Sequence, residues 1–255
     1  MLTGTDSVHY IEQQTGWSIG SASASETGPV VTMLYQHQLQ LKFYPGSFSI
    51  DSGNQGPKAN APVELTYHPK DGVNGPLSSI KLLILKSLQS YLATIDQSRV
   101  SPKQLLQFVS VAWDVASNAQ EEVRMLGFHG VTNLRLMEVD DKPSLRARCT
   151  LLGSVAPLDP GTDSRTNTTS RIDVDFAVTT RILEITEESP LGILDIQTEV
   201  IASKVYGFGT DNGTGLSEKE MRSILSKELK GKRKGVQFGS GVWSSAVQML
   251  SGRVF

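Results

Sequence analysis

The sequence predicts an α+β fold made twice over, each unit an antiparallel four-stranded meander covered by helices. Three observations carry that prediction. Short segments have apolar residues that alternate, longer segments have apolar residues recurring every three or four positions, and the same order of elements returns in the second half. A chain of 255 residues has room for two domains, since one domain commonly takes about 100–150 residues. Hydrophobic residues make up 38% and charged residues 20%, a balance that supports a buried core.

In the first unit, Thr5–Asp6–Ser7 ahead of Val8, Tyr10 and Ile11 predicts a short capped helix ending at Gly16. The period then changes to two. Trp17 and Ile19 alternate with Ser18, and Val31, Met33 and Tyr35 follow the same rhythm, as do Leu39, Leu41 and Phe43. A loop rich in Gly, Ser, Asn and Pro runs from Asp51 to Ala61, and Val63, Leu65 and Tyr67 then alternate again. Four strands with one apolar face each make a sheet with one side on a core. Leu77, Ile80, Ile84, Leu88, Tyr91, Leu92 and Ile95 form the helical stripe that covers it.

The order then repeats. Ser101 is a good N-cap and Pro102 suits the first helical position; the helix runs on to Leu126 and stops near Gly127. Strands follow at Leu134 and Leu136, from Leu145 to Leu151, from Ile172 to Val178, and from Leu191 to Tyr206, with a polar loop from Pro157 to Ser170. A helix from Ser217 to Leu229 and an apolar tail around Trp243 and Val247 close the unit. The expected domains are residues 1–98 and 99–255, the second with extended loops and a C-terminal tail.

The charge balance is 24 basic against 26 acidic side chains, a net -2. Without a local basic patch, that speaks against nucleic acid as a partner. No apolar run approaches the roughly 18 residues that span a bilayer, and Met1–Tyr10 lacks the apolar core of a secretory signal; no membrane partner is expected. One cysteine, Cys149, cannot form an internal disulfide and fits a reducing compartment.

Signals for chemistry are weak. His9, His37, His68 and His129 lie far apart, none with a second ligand at metal-binding spacing. Cys149 lies on the same face of an alternating strand as Leu145 and Leu151 and is expected to be a buried small hydrophobe. The glycines from Gly207 to Gly215 precede a helix but lack the Gly-Lys-Ser/Thr ending of a phosphate loop. Gly235, Gly239 and Gly241 are spaced wrongly for a dinucleotide fingerprint. No catalytic residue, metal or cofactor is therefore expected. Asp173 and Asp175 alternate with apolar residues and are expected on the solvated face of a half-buried strand. The basic run Lys227, Lys230, Lys232, Arg233 and Lys234 suits the end of a helix, and it also suits nuclear import or an acidic partner.

Ordered segments together resemble one family. They are Glu12-Gln-Gln-Thr-Gly-Trp17, Leu39-Gln-Leu-Lys-Phe-Tyr-Pro45, Asn60-Ala-Pro-Val-Glu-Leu-Thr-Tyr67, Leu105-Leu-Gln-Phe-Val-Ser-Val-Ala-Trp113-Asp and Glu121-Glu-Val-Arg-Met-Leu126. The chain resembles the C-terminal region of the fungal outer-kinetochore scaffold, the KNL family. That resemblance implies two RWD-type units, nuclear and kinetochore location, and a role in chromosome segregation. It further implies a non-catalytic module that docks the scaffold onto the inner-facing kinetochore complex by holding a C-terminal tail of one subunit. The coiled-coil partner of the parent chain is not expected to bind this stretch, nor are microtubules or checkpoint kinases. RWD folds are related to ubiquitin-conjugating enzymes, so the alternative is an adaptor for that machinery; conjugation itself needs a loop cysteine, which Cys149 is not.

A tail can be captured as an added strand on a sheet edge or as a short helix in a groove. Ile201, Val205, Tyr206 and Phe208 close the last strand before a glycine loop and are the expected partner-binding residues.

Overall fold

The computed structural model describes residues 15–26, 28–48, 61–69, 76–140, 142–155, 168–183, 186, 190–206, 216–231 and 239–254. The expected N-terminal helix, the cluster Gly207–Gly215 with Phe208, and Lys232–Lys234 lie outside the described residues, apart from Thr15 and Gly16 at that helix's end. By packing, the chain forms two compact units, one of residues 1–78, 84–114 and 182–195, the other of residues 79–83, 115–181 and 196–255.

The first sheet comprises β1 (Trp17–Ser25), β2 (Gly28–Tyr35), β3 (Leu39–Phe43) and β4 (Glu64–Tyr67), in that spatial order. All three pairings are antiparallel, with Leu41 opposite Met33 on one side and Leu65 on the other. The β2–β3 connection is tight: Gln36 and His37 have φ of 50° and 54°, and the Gln38 amide donates to the Tyr35 carbonyl at 2.9 Å. Positive φ at both central residues is the geometry that matches the twist of paired strands. β1 runs on past Ile19, where the apolar alternation ends, through a register shift between Ile19 and Ser21. Pairing with β2 holds that extension, because Ser and Ala bring no apolar face of their own.

Helices follow: α1 (Ser79–Leu92) and α2 (Pro102–Leu126). Ser101 and Gln104 form a capping box, the Gln104 amide donating to Ser101 Oγ at 3.3 Å and the Ser101 amide to Gln104 Oε1 at 2.9 Å. In the first unit, Tyr35, Leu39, Leu41, Phe43 and Leu65 are buried, as are Leu88, Leu92, Leu105, Val109 and Trp113. Tyr67 and Trp113 bring their rings within 6.1 Å. Gln89 Nε2 donates to the Leu65 carbonyl at 2.8 Å, tying α1 to β4.

The second sheet repeats the plan with longer strands: β5 (Val131–Val139), β6 (Lys142–Val155), β7 (Thr168–Leu183) and β8 (Ile193–Tyr206), in the order β5-β6-β7-β8. Leu145, Ala147, Cys149 and Leu151 stand opposite Val178, Phe176, Val174 and Ile172, and all eight are buried. Two helices close this unit, α3 (Glu218–Gly231) and α4 (Val242–Val254). The apolar tail expected from the sequence is thus a helix. Its buried residues, Trp243, Ala246, Val247 and Leu250, fall on one face at steps of three and four. Trp243 stacks on Phe176 of β7, with centroids 5.8 Å apart and planes 9° from parallel.

Candidate docking surface

β8 is the outer strand of the second sheet, so one of its sides offers main-chain groups to an added strand. Ile201 is 39% and Tyr206 49% exposed. Lys204 is exposed and Ser203 is buried, its hydroxyl donating to the Glu218 carbonyl at 3.2 Å. Val205 is part of the strand, though its side chain is not among those described, and Phe208 lies outside the described residues. Of the four expected docking residues, Ile201 and Tyr206 thus stand exposed on an edge strand. The Tyr206 ring carries the Arg171 guanidinium at 5.3 Å from its centroid, an arrangement that holds both side chains in place.

Beside that edge lies an ion-pair network on the outward face of β6 and β7. Asp175 accepts from Arg148 Nε at 2.8 Å and Nη2 at 3.0 Å, and from Arg146 Nη2. Asp173 accepts from Arg171 Nε at 2.8 Å and Nη2 at 2.7 Å, and from the Thr150 hydroxyl at 2.8 Å. This corrects the expectation that the two aspartates form a solvated face: Asp173 is 4% and Asp175 3% exposed. They do point away from the apolar side, but Arg146 and Arg148 of β6 and Arg171 of β7 itself close over them.

The hydrogen bonds from Arg171 hold the Asp173 carboxyl below the usual carboxylate range. For Asp175, burial pushes the other way, and the bonds from Arg148 and Arg146 outweigh it. Arg148, bonded by Asp175, is held more firmly protonated than an ordinary arginine.

The glycines weighed for a nucleotide loop have another job. Gly239 and Gly241 adopt φ of 93° and 80°, the left-handed region that glycine enters without strain. Their amides donate to Glu122 Oε1 at 2.9 and 2.8 Å, joined by Val242 at 3.1 Å, while Trp243 donates to Oε2 at 3.2 Å. Glu122 is fully buried. Its carboxylate occupies the N-terminus of α4, where unpaired amides and the helix dipole favour an anion. The chain thereby fills its own anion site.

Cys149 is fully buried within β6. Burial pushes its thiol up to about 12, with the Asp173 charge adding to the effect. A nucleophilic cysteine requires the opposite shift. The histidines stay scattered: His37 sits in the β2–β3 turn, His68 lies 3.3 Å from the Thr66 hydroxyl, and His129 lies 2.5 Å from the Ser244 hydroxyl. His9 lies outside the described residues, and in the basic run Lys227 is exposed on α3.

Sequence reasoning marked the β8 edge but missed the arginine-lined face. The signal was present, since Arg146, Arg148, Asp173 and Asp175 all occupy the outward phase of two consecutive strands. Pairing those strands sets opposite charges side by side.

Two four-stranded antiparallel meanders, each with helices packed on one side, define a tandem of RWD-like units, a fold used for protein interaction. Residues 5–119 match the family model described as the Knl1 RWD C-terminal domain. That match supports a KNL-family RWD C-terminal region over this stretch, and with it a kinetochore protein-interaction module. The second sheet lies beyond the matched residues. No curated protein matches the chain.

Proposed function

We propose that this chain is the non-catalytic docking module of an outer-kinetochore scaffold, acting in the nucleus at the kinetochore. It anchors the scaffold to the inner-facing kinetochore complex by capturing the C-terminal tail of one subunit. Residues 1–98 and 99–255 act as successive RWD domains, and the second takes the tail. The tail adds as a strand along β8, with Ile201, Val205, Tyr206 and Phe208 as its anchors. The observation that carries this reading is an outermost strand with two large apolar side chains turned to solvent. Main-chain hydrogen bonds then supply affinity and alternate side chains supply specificity.

Calorimetry with synthetic peptides of the subunits' C-terminal tails tests the edge. Tyr206→Ala or Ile201→Ser is expected to weaken the binding tail about tenfold, as loss of a central apolar anchor does, while leaving the thermal midpoint within a few degrees of the parent. Undiminished binding in both variants removes β8 from consideration.

A further inference from the structure

The open face of the second sheet carries more positive charge than its own carboxylates use. Arg135, Arg146, Arg148 and Arg171 line one concavity of about 380 Å³, together with Val131, Asn133 and Thr150. Asp173 and Asp175 sit beneath, already saturated by Thr150 and three of those arginines. The three guanidinium side chains keep 39–48% of their surface exposed, and Arg146 Nε is buried with no hydrogen-bond partner. Carboxylates below thus hold the arginines in place, and N–H donors remain for a group above.

The register sharpens the point. Arg135 stands directly opposite Arg146 across β5 and β6, and like charges directly opposed in a sheet are destabilising. The first sheet follows the ordinary rule: Lys42 stands opposite Glu64 and bonds it at 3.2 Å. Apolar residues share the arginine face. Val131, Met137 and Val139 flank Asn133 and Arg135 on the same face of β5 and stand exposed, and exposed Leu152 lies opposite Arg171. Exposed apolar residues interleaved with surplus cations mark a surface made for another molecule.

We propose that this face docks an acidic segment of a partner protein, one whose carboxylate side chains are interspersed with apolar ones. The carboxylates accept from the free N–H groups of Arg135, Arg146 and Arg148, and the apolar side chains cover Val131 and Leu152. This surface adjoins the β8 edge at Arg171, which stacks on Tyr206, but its contacts do not involve Ile201 and it does not depend on tail capture.

Fluorescence anisotropy on the whole chain provides the test, with a labelled peptide of about ten residues built from Glu-Glu-Val-Val repeats, so that an extended strand of that length presents both residue types on one face. The expected result is saturable binding that weakens several-fold between about 50 and about 200 mM salt. Binding should fall at least about tenfold in Arg135→Glu, with a melting curve like that of the parent. It should stay unchanged in Ile201→Ser, which alters only the β8 edge, so the two surfaces can fail separately. Equal affinity for the peptide with Gln replacing every Glu overturns the proposal. So does unchanged affinity in a folded Arg135→Glu protein. Tighter binding of an oligodeoxythymidine of the same length overturns it as well, and assigns the face to nucleic acid.

Discussion

Among the described residues, Asp173 and Asp175 are the acidic groups most tightly enclosed by cations, and their ionisation should govern how the second unit responds to acid. Both carboxyls are held below the ordinary value of 3.8 in the folded state. The folded protein therefore binds these protons less readily than the unfolded chain. Their stabilisation is present above the ordinary carboxylate range and is lost as pH falls through it and below. Urea unfolding followed from about pH 5 down to about pH 2 should show that decline. Asp175→Asn should flatten the decline and cost about 2 kcal/mol at neutral pH, by weakening charge-assisted bonds to two arginines. An unaltered acid slope in that variant would contradict the role given to Asp175. The alternation of Asp173 and Asp175 with Ile172, Val174 and Phe176 showed which way they point. It did not show that they are buried, because a period-two pattern says nothing of side chains that reach over from neighbouring strands. Cys149 was legible for the converse reason: an inward position in a strand needs no knowledge of its neighbours.

At the level of elements, strands with apolar alternation and helices with caps were legible, and elements held by tertiary contacts were not. Ser101–Gln104 and Ser217–Glu220 mark helix starts in sequence, and both form reciprocal caps. The later half of β1 lacks such marks, being built of Gly, Ser and Ala, residues with little strand preference; α4 has the apolar spacing of a helix but no capping box at its start. Helix α4 is fixed from outside, by the Glu122 carboxylate at its first amides and by Trp243 against Phe176. Replacing Trp243 by Ala should therefore destabilise the second unit by about 3–5 kcal/mol, the usual cost of deleting a buried large aromatic. Chemical denaturation followed by circular dichroism checks it. A loss below about 1 kcal/mol would mean that α4 is dispensable to the core beneath it.

At the scale of the whole molecule, one plan is built twice with different surfaces. The first unit carries most of the residues matched by the family model and sets Lys42 opposite Glu64 as a complementary pair. The second leaves an edge strand with exposed Ile201 and Tyr206, beside a face with more arginines than aspartates. Periodicity alone predicts both sheets. The proposed docking surfaces emerge only when strand order and register are known, since a net charge of -2 conceals a locally basic face. The central claim is that this module binds the inner-facing kinetochore complex through a subunit's C-terminal tail. The most direct measurement is a pull-down of the chain against that reconstituted complex, with and without each subunit's tail. Binding that disappears when one tail is removed is the predicted result and names the ligand. No binding with every tail intact, from protein shown by its melting curve to be folded, would contradict the claim.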